Sequence, residues 1–136
     1  MVELLIGKKG TGKTKTLINN VNTAASVASG NVVFISKDSS RNMYDIKSQI
    51  RMVDTKEFEI DSWDKFLGFV CGIISGNFDI TQVYIDNLYK TIGNDRAAGE
   101  AFILWAADFA AANSMEITMT VSDDPALASE AVKKYL

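Results

Sequence analysis

An α/β domain built on a mainly parallel, five-stranded sheet is what this chain predicts, on three observations. Strand-like apolar runs alternate with helical runs along the whole chain. The first strand-like run is apolar apart from Glu3, close to the pattern of a strand covered on both faces in a three-layer α/β/α arrangement. The chain has 136 residues, 47% hydrophobic and 23% charged. That fits one domain over residues 1–136 and leaves no room for a second of useful size.

The elements follow in order. VELLI, Val2 to Ile6, is the first strand, and the glycine-rich stretch GKKGTGKT, residues 7 to 14, comes straight after it. A helix is predicted from about Lys13 to Ala28, with Leu17, Ile18, Val21, Ala24, Ala25 and Ala28 on one stripe and Gly30 placed to cap its end. NVVFIS, residues 31–36, is the second strand, and KDSSRNMYD after it reads as a polar loop. A shorter strand is expected in QIRMVDT, residues 49–55, where Ile50, Met52 and Val53 alternate imperfectly. DSWDKFLGFVCGIISGN predicts a second helix, capped by Asp61 or Ser62 and ended by Gly76-Asn77. Its buried face is Trp63, Phe66, Leu67, Val70, Ile73 and Ile74. QVYID, residues 82–86, is a strand, NLYKTIGND a loop, and RAAGEAFILWAADFAAAN a helix that is apolar nearly all round. Such a helix either packs deeply or meets a second subunit or protein partner. EITMTVS, residues 116–122, is the last strand, and Asp124-Pro125 opens the final helix as N-cap and first helical residue.

Composition removes several chemistries. The net charge is −3 and there is no long basic run, so no strong nucleic-acid signal exists. Without a histidine, Ser-His-Asp and Cys-His catalysis and histidine-ligated zinc are excluded. The one cysteine, Cys71, cannot form an internal disulfide and sits in an apolar helical run, where a buried structural thiol is expected. No apolar run approaches the length that spans a membrane, and no signal peptide is read at Met1, so a cytoplasmic protein is expected.

The stretch after the first strand carries the chemistry. Polyphosphate presents many closely spaced anionic oxygens, and a loop binds them only by bringing many N–H donors together. Gly7, Gly10 and Gly12 let the backbone curl and approach closely, and the loop opens into a helix N-terminus that favours an anion. The candidate binding set is Gly7, Lys8, Lys9, Gly10, Thr11, Gly12, Lys13, Thr14 and Lys15. Lys13 is expected to reach the β- and γ-phosphates, and Thr14 to offer its hydroxyl to magnesium. A random chain of this length matches G-x-x-x-x-G-K-[ST] roughly once in a hundred or less.

LLIGKKGTGKT resembles the Walker A loop of P-loop NTPases, and QVYIDN resembles their Walker B strand. The order of elements is similar to that of RecA-like and thymidine-kinase-like domains. The resemblance implies the P-loop NTPase fold, with ATP or GTP and Mg2+ as ligands. It also implies Asp86 as a magnesium ligand beside Thr14, and Lys13 and Asp86 as the catalytic pair. By the same resemblance the last strand lies between the Walker A and Walker B strands, bringing Ser122 and Asp123 near the phosphates. Arg41, Arg51, Lys90 and Arg96 are the cations available to complete a γ-phosphate site. Many RecA-like relatives carry a glutamate base directly after the Walker B aspartate; here that position is Asn87, which cannot act as a base. The expected activity is therefore magnesium-dependent nucleotide binding with slow or partner-stimulated hydrolysis. A non-enzymatic nucleotide-dependent switch or assembly module, and a small-molecule kinase of nucleoside type, are the alternatives.

Overall fold

The computed structural model describes residues 1–37, 44–93 and 95–136. Among these residues five strands form one sheet: β1 (Val2–Gly7), β2 (Asn31–Ser36), β3 (Arg51–Asp54), β4 (Ile80–Ile85) and β5 (Glu116–Ser122). Its order is β1-β5-β4-β2-β3, and every pairing is parallel. Among the described residues five α-helices connect and cover the strands: α1 (Lys13–Val27), α2 (Trp63–Ser75), α3 (Leu88–Ile92), α4 (Arg96–Asn113) and α5 (Glu130–Lys133). Parallel pairing places every strand's C-terminal end on one edge of the sheet, and in such sheets ligands gather on that edge. The last strand inserts between β1 and β4, as the resemblance implied.

Alternation along the strands divides the core into two layers. Val33 and Ile35 of β2, Val83 and Ile85 of β4, and Ile117, Met119 and Val121 of β5 pack with Phe66 and Val70 of α2, Leu88 and Ile92 of α3, and Phe102, Ile103 and Ala106 of α4. The intervening residues Val32, Phe34 and Tyr84 pack with Leu17, Ile18 and Val21 of α1 and with Ile46 and Ile50. One side of the sheet thus carries most of the helices, and the other rests on α1 and the approach to β3. The stripe read on α1 is the one that is buried.

Four expectations are corrected. NLYKTIGND holds the short helix α3, with Leu88, Tyr89, Thr91 and Ile92 buried; five residues are too few to show a helical period. Asp124 and Pro125 do open a helical turn, and the Asp124 side chain accepts from the Ala126 N–H. The turn is 3-10, however, and ends at Leu127, and α5 starts afresh at Glu130. Gly30 does not cap α1, which ends in an extended Ala28 whose N–H bonds the Ala24 carbonyl. Its glycine identity meets a close approach instead, since a Cβ there would collide with the Thr81 side chain and lie 2.5 Å from the Asp79 carbonyl oxygen. Cys71 is half-buried in α2. The Ser62 cap of α2 is present, its hydroxyl accepting from the Lys65 N–H. On α4 the buried residues are Gly99, Phe102, Ile103, Ala106, Ala107 and Ala110, while Leu104 faces outward. No helix among the described residues is long and apolar enough to cross a membrane.

Candidate functional site

The loop between β1 and α1 owes its shape to two glycines in the left-handed region, Gly10 at φ 87° and Gly12 at φ 83°. An L side chain is strained at either position. Gly12 is also the N-cap of α1 and brings no capping side chain. The first-turn N–H groups of α1 have no carbonyl within the helix to bond, so they are left pointing out of its N-terminus, where the helix dipole favours an anion. The loop braces itself from within. Thr11 Oγ1 donates to the Lys8 carbonyl at 2.8 Å, and Lys13 Nζ donates to the same carbonyl at 2.9 Å and to Thr11 Oγ1 at 3.3 Å. Burial lowers the Lys13 pKa from its ordinary value, against the opposing pull of Asp86. An ammonium that has lost part of its hydration gains more from a polyanion than one in bulk water does.

Asp86 follows β4, buried to 9% exposure. Its backbone N–H donates to the Ile35 carbonyl at 2.8 Å, which extends the β2–β4 ladder by one residue and fixes where the side chain starts. The carboxylate accepts from the Thr14 hydroxyl, at 3.1 Å to Oδ1 and 3.2 Å to Oδ2, and from the Thr120 hydroxyl at 2.8 Å to Oδ1. Residues 72 apart in the chain therefore meet at the start of α1.

Asn87 has φ 56° and ψ 73°, and its side-chain oxygen caps α3 by accepting from the Lys90 N–H at 3.3 Å. Asparagine suits both demands, since it tolerates the left-handed region and is among the best N-cap residues. Asn87 thus has a structural task at the position where many RecA-like domains carry a glutamate base.

These groups open on one cleft of about 1230 Å³ over the C-terminal edge of the sheet. Lys9, Gly10, Gly12, Lys13, Thr14 and Lys15 form its glycine-loop wall, Asp86, Asn87, Thr120 and Ser122 its strand-end wall, and Tyr89 and Lys90 of α3 adjoin them. Asn19 and Asn22 of α1 continue it toward Lys37 and Asp45. Asn22 ties that far wall together, donating to the Asp45 carbonyl at 2.8 Å and accepting from the Lys47 N–H at 3.0 Å.

Of the candidate set, Gly7, Lys8 and Thr11 do not line the cleft: Gly7 ends β1, and the other two brace the loop. Ser122 does line it, whereas Asp123 turns away into a bidentate pair with Arg96, Nε to Oδ2 at 2.7 Å and Nη2 to Oδ1 at 3.0 Å. That pairing holds the Asp123 carboxyl below its ordinary pKa and raises that of Arg96. Arg51 begins β3 and so stands at the opposite edge of the sheet. Arg41, with Asp38, lies outside the described residues. Lys90 is thus the one of the four candidate cations that the cleft receives among the described residues.

Sequence reading missed Thr120. The signal was there in EITMTVS, where Thr118 and Thr120 interrupt a strand that is otherwise apolar between Glu116 and Ser122. Buried parallel strands read as continuous hydrophobic runs, so two internal threonines, both buried here, mark polar work on one face.

No protein-family model matches the chain, and no curated protein matches it.

Proposed function

We propose that this chain is a P-loop NTPase domain that binds a nucleoside triphosphate together with magnesium and turns it over slowly or under the stimulus of a partner. One observation carries the reading: the Thr14 hydroxyl meets the Asp86 carboxylate beside a glycine loop that opens into a helix N-terminus. Phosphate loop and acidic strand end are then side by side, as charge neutralisation of a triphosphate requires.

The residues fit magnesium. Hydroxyl and carboxylate oxygens are the ligands a hard cation takes, and magnesium uses few protein ligands because it keeps several waters. Among the described residues no group of three or more His, Cys, Asp or Glu side chains gathers that could hold a metal alone. A cation here would therefore be held by Thr14 and Asp86 with water and phosphate oxygens completing its shell. Magnesium, when bound, would neutralise charge on the β- and γ-phosphates.

The chain's own groups divide the remaining work. The α1 N-terminus and the glycine loop donate N–H groups to the phosphates. Lys13 exchanges the Lys8 carbonyl for phosphate oxygen. Asn87 carries an amide, which accepts no proton at neutral pH, so no general base stands next to Asp86 and hydrolysis is slow. The switch reading has support of its own in the hydrogen bonds that run from Asp86 through Thr120 to Asn87 at the start of α3.

Calorimetry with ATP and with GTP, magnesium present, tests the reading on the wild type and on Lys13→Ala. Binding of at least one nucleotide is expected, weakened about 100-fold or more in the variant, which corresponds to about 2.7 kcal/mol. A wild type that gives no heat with either nucleotide overturns it.

A further inference from the structure

Thr120 is 1% exposed, and its hydroxyl is engaged twice. Oγ1 lies 2.6 Å from the Asn87 backbone nitrogen and 2.8 Å from Asp86 Oδ1. A backbone N–H can only donate, so the hydroxyl accepts from Asn87, and its single hydrogen is directed to the carboxylate. The bond's direction is set by the partners and cannot reverse. Thr14 is in a different position: its one hydrogen is shared between Oδ1 at 3.1 Å and Oδ2 at 3.2 Å. Both distances are long for a hydroxyl on a carboxylate. Asp86 is thus held firmly at Oδ1 by β5 and loosely across both oxygens by α1.

We propose that Thr120 is the positioning residue for Asp86. Its hydrogen bond pins Oδ1, so Oδ2 is the oxygen presented to a hydrated divalent cation at the phosphate loop. The hold persists when Thr14 turns its lone pairs to the same cation. The same hydroxyl fixes the Asn87 N–H, and with it the backbone from which Asp86 projects. The inference rests on the magnesium–nucleotide reading above and adds to it the residue that sets metal affinity from behind the metal ligand.

Thr120→Val keeps the shape and deletes the hydroxyl, and Thr120→Ser keeps the hydroxyl. The full chain is titrated with ATP by calorimetry over a series of magnesium concentrations and in EDTA. For Thr120→Val the magnesium concentration at half-maximal ATP affinity should rise about 10-fold, the low end of what losing such an outer partner costs a metal site. Affinity in EDTA should stay at the wild-type value, and Thr120→Ser should restore the magnesium dependence. A wild-type magnesium midpoint in Thr120→Val overturns the inference, and so does an equal loss with and without magnesium, the mark of a merely structural role. A second measurement needs no variant to fold: the short bond predicts a downfield, slowly exchanging Asn87 amide proton in wild-type spectra, and an ordinary, fast-exchanging one overturns the inference. A wild type that takes up neither ATP nor, in the same titration, GTP at any magnesium concentration overturns the nucleotide reading and this inference together. Binding that needs magnesium equally in wild type and Thr120→Val overturns the inference alone.

Discussion

Asp86 stands one residue past β4, and Asp123 one residue past β5, its neighbour in the sheet. Both carboxylates end a buried parallel strand on the same edge. Asp86 receives hydroxyl groups, from Thr14 and Thr120. Asp123 receives a guanidinium in bidentate fashion and the Asp124 N–H at 2.8 Å. Hydroxyls orient a carboxylate without neutralising it, so Asp86 keeps its charge available to a cation. Asp123 already has its cation, fixed in fork geometry, and turns toward α4 instead of the cleft. The residue type and its place at a strand end are the same in the two cases. The partner supplied by the neighbouring element separates a candidate metal ligand from a structural ion pair.

The largest effect that could break this contrast is on binding. Asp86→Asn should weaken magnesium-dependent ATP affinity about 100-fold, or about 2.7 kcal/mol, while Asp123→Asn leaves it within about twofold; equal losses from the two variants would erase the distinction. Next comes the residue that joins Asp86 to α3. Asn87→Ala removes an N-cap and places a Cβ residue with a plain side chain at positive φ. It should cost about 1–2 kcal/mol, read as a fall of roughly 5 °C in Tm, whereas Asn87→Gly should cost only a few tenths. Equal stability of the two would show that neither the cap nor the left-handed backbone matters.

The smallest effect is the pH dependence of the Asp123–Arg96 pair. Because the folded Asp123 pKa is depressed, its contribution is present above the ordinary carboxylate pKa and is lost as pH falls through the folded value. The Tm of the wild type should exceed that of Asp123→Asn near neutral pH, and the gap should close below about pH 4. The side chains are 42% and 19% exposed, so added salt should shrink the gap at neutral pH as well. A gap that persists in acid would assign the stability to packing around the side chain.

Much of the architecture could be read from local pattern. The five strands, α1, α2 and α4 stand where the apolar runs placed them, because each covers apolar side chains that lie close together in the chain. The shape of the glycine-rich loop between β1 and α1 was legible for a stronger reason. Its two positive-φ glycines and the lysine–threonine pair fall within residues 10–14, so spacing and geometry coincide. The misses have one physical cause. α3 is too short to display a period, and its existence depends on burial against α2, α4 and β5. Gly30 looked like a helix cap, yet it is required by Thr81, about fifty residues further along.

Asp86 and Asp123 mark the boundary between the two kinds of information. Composition excluded histidine and disulfide chemistry, and the order of apolar runs called for a parallel sheet whose strand ends share an edge. Those conclusions need only the residue types and their spacing, since secondary structure is chiefly a response to neighbours a few positions away. The task of each aspartate depends on contacts across 72 residues for Thr14, 34 for Thr120 and 27 for Arg96. A hydrogen bond acts over about 3 Å in space whatever the separation along the chain. The insertion of β5 between β1 and β4 brought Thr120 under Asp86, and the start of α4 brought Arg96 over Asp123.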